Sequence, residues 1–224
     1  MSEARGLRLT ASAALKEKRL AALLQGADPA DPVLEAILLA VQVKGSLELS
    51  GLAGTVEEAA ALRRASGAVD PRAPLTAGAL VAWHAALTGE RGYRQQALSR
   101  ADGPAPAPVE FIASRLAILE EWLGADSGRE LKPAQQGALA LARVMEILPF
   151  ERGNARVARL AASHLMVRAG SRRPILVGAD RTRWDEALAA AFQLHTEPLA
   201  RLLDEASERA LDVLIAVLEG EARG

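Results

Sequence analysis

The 224-residue sequence predicts an all-α fold, on three grounds. Aromatic residues are only 3% of the chain, so alanine and leucine fill most of the apolar half, which favours helices over strands. Glycine and proline cut the chain into apolar-periodic segments of helical length. Two consecutive segments, on either side of residue 150, are apolar around most of their circumference, as helices at the centre of a bundle are.

Residues 12–25 read as a short amphipathic helix stopped by GADPADP, and 33–44 (VLEAILLAVQVK) as a largely buried helix followed by GSLELSG. TVEEAAALRRA opens another helix, with Thr55 as cap and Glu58 at the reciprocal capping-box position. LTAGALVAWHAALTG is a helix capped by Thr76 and stopped by Gly89. Residues 92–108 lack helical period. Their first part suits an extended chain and their proline-rich tail excludes helix, so a small hairpin is expected near 92–103. Residues 109–123 form an amphipathic helix. Pro133 opens AQQGALALARVMEIL, PFERGN makes a sharp connection, and ARVARLAASHLMVRAG runs to Gly170 and Pro174. Segments 183–193 and 197–219 complete the bundle, with Thr196 capping the last helix and Pro198 in its first turn.

Composition narrows the function. A formal charge of −1 provides no global field to steer the chain onto nucleic acid or an acidic membrane. The absence of cysteine excludes disulfide, thiolate and cysteine–zinc chemistry and suits a reducing cytoplasm, where the protein is expected. The N-terminus lacks the apolar core of a signal peptide, and AILLAVQV is too short to span a bilayer.

Chemistry concentrates in LPFERGNARVAR, residues 148–159. A helix N-terminus offers unpaired N–H groups and a partial positive charge, which suit an anion such as phosphate. Gly153 permits close backbone approach, and Asn154 suits a cap or a phosphate contact. Seven arginines but only two acids, Glu146 and Glu151, lie between 134 and 174. Arg168, Arg172 and Arg173 fit a surface role. Arg156 and Arg159 share a face in the first turn of an apolar helix, where a cation opposes the helix dipole and calls for a negative ligand or a carboxylate. His84 reads as a packing or helix-face residue, His164 as a hydrogen-bonded core residue and His195 as surface.

The stretch resembles the signature of the Fic (Fic/Doc) family, H-P-F-x-[D/E]-G-N-G-R-x-x-R, through Pro149, Phe150, Gly153, Asn154, Arg156 and Arg159. LVAWHAALTGERGYRQQ is similar to the family's helix and G-x-[FY]-R flap, here Gly92, Tyr93 and Arg94. The segment 106–124 and the 183–206 tail also resemble family segments. The resemblance implies a single domain over 1–224: N-terminal helices in 1–66, then a helical bundle in 67–224 with a hairpin flap. It also implies transfer of AMP from ATP to a protein hydroxyl, with the histidine as general base, the acid on magnesium, and the Gly-Asn-Gly turn and two arginines on the phosphates.

Three positions depart from the pattern: Leu148 stands for the histidine, Arg152 for the acid and Ala155 for the second glycine. Leucine accepts no proton, and loss of a general base costs ~10²- to 10⁴-fold in rate. Arg152 removes a magnesium ligand and puts a cation there. SLELSG resembles the family's inhibitory segment [S/T]-x-x-x-E-[G/N], with Ser46 and Gly51 in place and Ser50 at the glutamate position; Glu48 is a second candidate partner for Arg159. Three readings follow. The first is a degenerate Fic protein without AMP transfer that binds ATP or another phosphate-bearing ligand at Arg152, Gly153, Asn154, Ala155, Arg156 and Arg159 without magnesium, and acts through a protein target or regulatory partner. The second is a transferase of a phosphate-containing group by metal-independent chemistry. The third is a helical scaffold.

Overall fold

The computed structural model describes residues 11–24, 31–101 and 103–221. Ten α-helices occur among them: α1 Ala11–Leu24, α2 Pro32–Leu49, α3 Val56–Ser66, α4 Ala77–Thr88, α5 Ile112–Gly124, α6 Asp126–Arg129, α7 Pro133–Ile147, α8 Asn154–Arg168, α9 Arg181–Phe192 and α10 Glu197–Glu221. No strand occurs among the described residues. None of their helices is long and apolar enough to cross a membrane.

Local chemistry sets most boundaries. Thr55 and Glu58 close the expected capping box on α3, and Thr76 caps α4 through the Ala79 N–H, each cap contributing about 1 kcal/mol. Gly89 ends α4 in the left-handed region at φ 79°. The GADPADP break lies mostly outside the described residues, but its Asp31 caps α2.

The helix pair α7 and α8 forms the centre. Leu141, Val144, Val157, Ala158, Ala161 and Met166 are buried between them and their neighbours. Gly137 lets α7 approach α8 closely, since a Cβ there would lie 3.3 Å from the Ala162 carbonyl oxygen. The long helix α10 packs on α7 and α9 on one side and on α1 on the other, where Leu20, Leu38, Ile175, Leu211 and Leu214 form a second apolar cluster.

Two expectations change. Helix α2 does not stop at residue 44 but continues through Gly45 to Leu49. Gly45 costs helix propensity, yet a Cβ there would sit 1.9 Å from the Leu176 carbonyl oxygen, so only glycine lets α2 lie directly on the 175–177 backbone. The hairpin near 92–103 is absent among the described residues: the segment is irregular. Its polar groups are spent elsewhere. The Arg94 N–H donates to the Pro149 carbonyl, and the Arg94 guanidinium takes the Gln96 and Ala107 carbonyls, leaving no cross-strand ladder to form.

Candidate functional site

The site begins where α7 ends. Leu148 adopts φ 47° and ψ 67°, a left-handed conformation that costs a leucine roughly 1–2 kcal/mol, and its N–H still bonds the Val144 carbonyl. Arg94 holds this turn. It is 2% exposed, and its Nε donates to the Leu148 carbonyl at 2.7 Å while its own N–H holds Pro149 at 2.9 Å. The flap arginine is therefore enclosed by carbonyls and is not presented to a ligand. Tyr93 is half-buried against Phe150, and Gly92 lies exposed at φ 86°.

Phe150 anchors the loop. It is fully buried and stacks on the His84 ring of α4 at 4.0 Å with an interplanar angle of 4°. Asn154 locks the same residue from the other side: its Oδ1 accepts the Phe150 N–H at 3.0 Å and its Nδ2 donates to the Phe150 carbonyl at 2.7 Å. The asparagine thus closes the loop on itself rather than capping α8. Gly153 takes the capping position at φ 79°, with no side-chain cap on the helix, so the first N–H groups of α8 have no i−4 carbonyl to meet.

The arginines divide by depth. Arg152 is outermost, its side chain 63% exposed, and pairs with Glu90 at 2.8 Å. Arg156 is half-buried, and burial lowers its pKa against the opposing effect of Glu58. Arg159 is innermost, 7% exposed. Its Nε donates to Ser46 Oγ at 3.0 Å, and its Nη2 donates to the Ser46 carbonyl at 2.9 Å and to Ser50 Oγ at 2.5 Å. Its guanidinium centre also lies 5.4 Å from the Trp184 ring. Burial first, then Arg156 and Arg181, pushes the Arg159 pKa down to about 9.

The SLELSG segment therefore lies against α8, with Ser46 and Ser50 on Arg159 and Gly51 just beyond at φ 66°. Glu48 points away, accepting from the Gly178 N–H at 3.3 Å, so it does not reach Arg159. The histidines sit as their sequence contexts suggest. His164 is buried with Nε2 2.8 Å from the Ala73 carbonyl, and His195 is exposed. His84 is buried beside the loop, with burial lowering its pKa and Glu90, 3.9 Å from Nε2, opposing.

The residues present do not fit a magnesium ion. Arg152 occupies the acid position, its neighbour Glu151 is exposed, and Glu90 is engaged by Arg152. No group of three His, Cys, Asp or Glu side chains comes together among the described residues. Glu90 and Gly45 were not singled out in the sequence. A glycine inside an apolar helical run was a usable signal for the second, whereas nothing local marks an exposed glutamate as the partner of an arginine in a distant loop.

Residues 74–166, from just before α4 through most of α8, match the Fic/DOC family. The chain carries a Fic/DOC-family region over these residues. Among its Fic relatives, the Protein adenylyltransferase Fic of Culex quinquefasciatus is 30% identical over 112 residues, which is 50% of this chain and 22% of that protein. The Drosophila melanogaster protein of the same name is 29% identical over 112 residues, again 50% and 22%. The chain thus spans about a fifth of the length of these curated relatives. A Fic domain containing signaling protein from Bacteroides thetaiotaomicron superposes with a TM-score of 0.74 at 18% identity, covering 94% of this chain and 98% of that one. Fic-1 from C. elegans gives 0.69 at 18%, covering 93% and 74%. IbpAFic2 covalently tethered to Cdc42 gives 0.59 at 14%, covering 87% and 70%. At these identities the structural likenesses establish the fold.

Proposed function

We propose that this Fic protein binds a phosphate-bearing ligand such as ATP at the 152–156 loop without a divalent metal, and does not transfer AMP. The observation that carries this is the charge arrangement at the loop. Arg152 stands at the acid position and Arg156 lies in the uncapped first turn of α8, the carboxylates acting on them being Glu90 on Arg152 and Glu58 on Arg156. Guanidinium groups and helix-terminal N–H groups both complement phosphate oxygens. Arg159 lies behind them, its Nε and Nη2 already committed to Ser46 and Ser50, and adds positive potential rather than a direct contact.

Leu148 provides no proton acceptor where a base would act. The nearby His84 is 2% exposed and stacked flat on Phe150, which keeps it from a protein hydroxyl. A binding role fits such a site better than turnover, and a protein partner fits the family: IbpAFic2, one of its structural neighbours, is recorded tethered to Cdc42.

Incubation with labelled ATP and magnesium, alone or with a cell lysate, is expected to give no labelled protein. Clear labelling that disappears on Arg156→Ala would replace this reading with that of an active transferase using altered chemistry.

A further inference from the structure

Behind the loop lies a cavity bounded by α2, α3, α8 and the segment around Pro174. Its polar lining is Gln42, Ser46, Ser66, Arg156 and Arg159, and its other walls are apolar. Its volume is about 20 Å³, little more than one water molecule needs.

The charge here is unbalanced. Neither Arg156 nor Arg159 forms an ion pair among the described residues, and the other charges acting on Arg159 are the cations Arg156 and Arg181. Arg181 has its own partner, Asp185, at 2.7 Å. Three hydrogen bonds to neutral oxygens occupy Nε and Nη2 of Arg159, and none is made by Nη1 among the described residues. A guanidinium does not shed its proton under ordinary conditions, and Arg159, unlike the carbonyl-enclosed Arg94, has one nitrogen left to donate to an anion.

We propose that this cavity is a seat for one halide-sized monovalent anion, chloride in a cell, which neutralises Arg159 and couples α2 to α8. Size selects the class. A single atom fits such a space, whereas a phosphate ester would have to displace α2, which Gly45 holds against the Leu176 backbone. Gln42 and Ser66 already donate to Ser163, Pro174 and Leu62, so the donors for an anion are Arg159 Nη1 and the Ser46 hydroxyl, which accepts from Arg159 Nε and keeps its own hydrogen. Ser50, 2.5 Å from Nη2, marks where a built-in carboxylate would serve instead. Arg156 lines both this cavity and the loop, but the seat centres on Arg159, whose Nε and Nη2 bond Ser46 and Ser50 at the end of α2, so Arg159→Met and Ser50→Glu test it without touching Arg152 or Arg156.

The test is the melting temperature of the full chain at constant ionic strength, with chloride or bromide replacing gluconate, together with anomalous diffraction from crystals soaked in bromide. The expected result is a saturable rise of roughly 2–6 °C with halide and an anomalous peak beside Arg159 Nη1. Ser50→Glu should melt high in gluconate and lose the halide dependence, because its carboxylate takes the anion's place. Arg159→Met should also lose the dependence. The proposal is overturned if the wild type shows no saturable halide effect, if Ser50→Glu retains the full effect, or if bromide is found only at surface positions. Phosphate raising the melting temperature through this seat, lost in Ser50→Glu, would overturn the size argument.

Discussion

Among the described residues, two arginines, Arg94 and Arg159, are buried without a carboxylate partner, and they are held in opposite ways. Arg94, in the irregular segment after α4, donates to the carbonyls of Leu148, Gln96 and Ala107. Those carbonyls belong to the end of α7 and to loops, and a cation there also meets the negative end of a helix dipole. Arg159, in the second turn of α8, sits toward the positive end of its helix with hydroxyls, one carbonyl and no hydrogen bond at Nη1 among the described residues. The contrast separates a cation that the fold has consumed from one that still lacks a counter-charge. Burial alone did not distinguish them; the direction of the helix dipole and the number of satisfied nitrogens did.

The comparison breaks most visibly under substitution. Arg94→Met leaves several buried carbonyls without a donor and releases the Leu148 turn, so it should destabilise the protein by about 3 kcal/mol or more in urea unfolding. Arg159→Met, measured in halide-free buffer, should change stability by only about 1 kcal/mol, because it removes an uncompensated buried charge together with its hydrogen bonds. Equal and large losses in both variants would erase the distinction.

Gly45→Ala sharpens the same comparison from the α2 side. Alanine is the better helix former by about 1 kcal/mol. Its methyl would nevertheless meet the Leu176 carbonyl at 1.9 Å, and overpacking of this kind costs ~1–3 kcal/mol. The expected outcome is a net loss of stability on urea titration, with α2 shifted off Arg159; a gain would show that α2 slides freely.

The smallest effect is a pH dependence. Burial lowers the pKa of both His84 and His164 below 6.5. The unfolded chain therefore protonates first, and stability present above pH 6.5 is lost as the pH falls below it, by at most about 1.4 kcal/mol per pH unit for each histidine. His84→Gln should remove one share of that slope in melts between pH 7 and pH 5. An unchanged slope would mean that His84 titrates as an exposed group.

Much of the architecture was legible because it is locally encoded. Thr55 with Glu58, Thr76, Gly89 and Pro133 each fix a helix end through contacts within a few residues. The Fic signature was equally legible in one short stretch. The absent hairpin was not, because long-range bonds from Arg94 to 148–149 and 107 decide the path of that segment, and no periodicity reports them. The extension of α2 through Gly45 is hidden for a related reason: glycine lowers helix propensity locally, whereas tertiary contact with Leu176 requires it. At the site, the side chains facing inward were readable from spacing, and their partners, Glu90 for Arg152 and the Phe150 backbone for Asn154, were not.

Calorimetric titration with ATP, in EDTA and then in magnesium, tests the functional account most directly. Binding should appear in EDTA, remain within a small factor when magnesium is added, and weaken about tenfold or more in Arg152→Ala and in Arg156→Ala, a loss of ~1.4 kcal/mol for each tenfold. Binding that requires magnesium, or that survives both substitutions unchanged, would contradict it, and no binding at all in a folded protein would leave the helices as a scaffold.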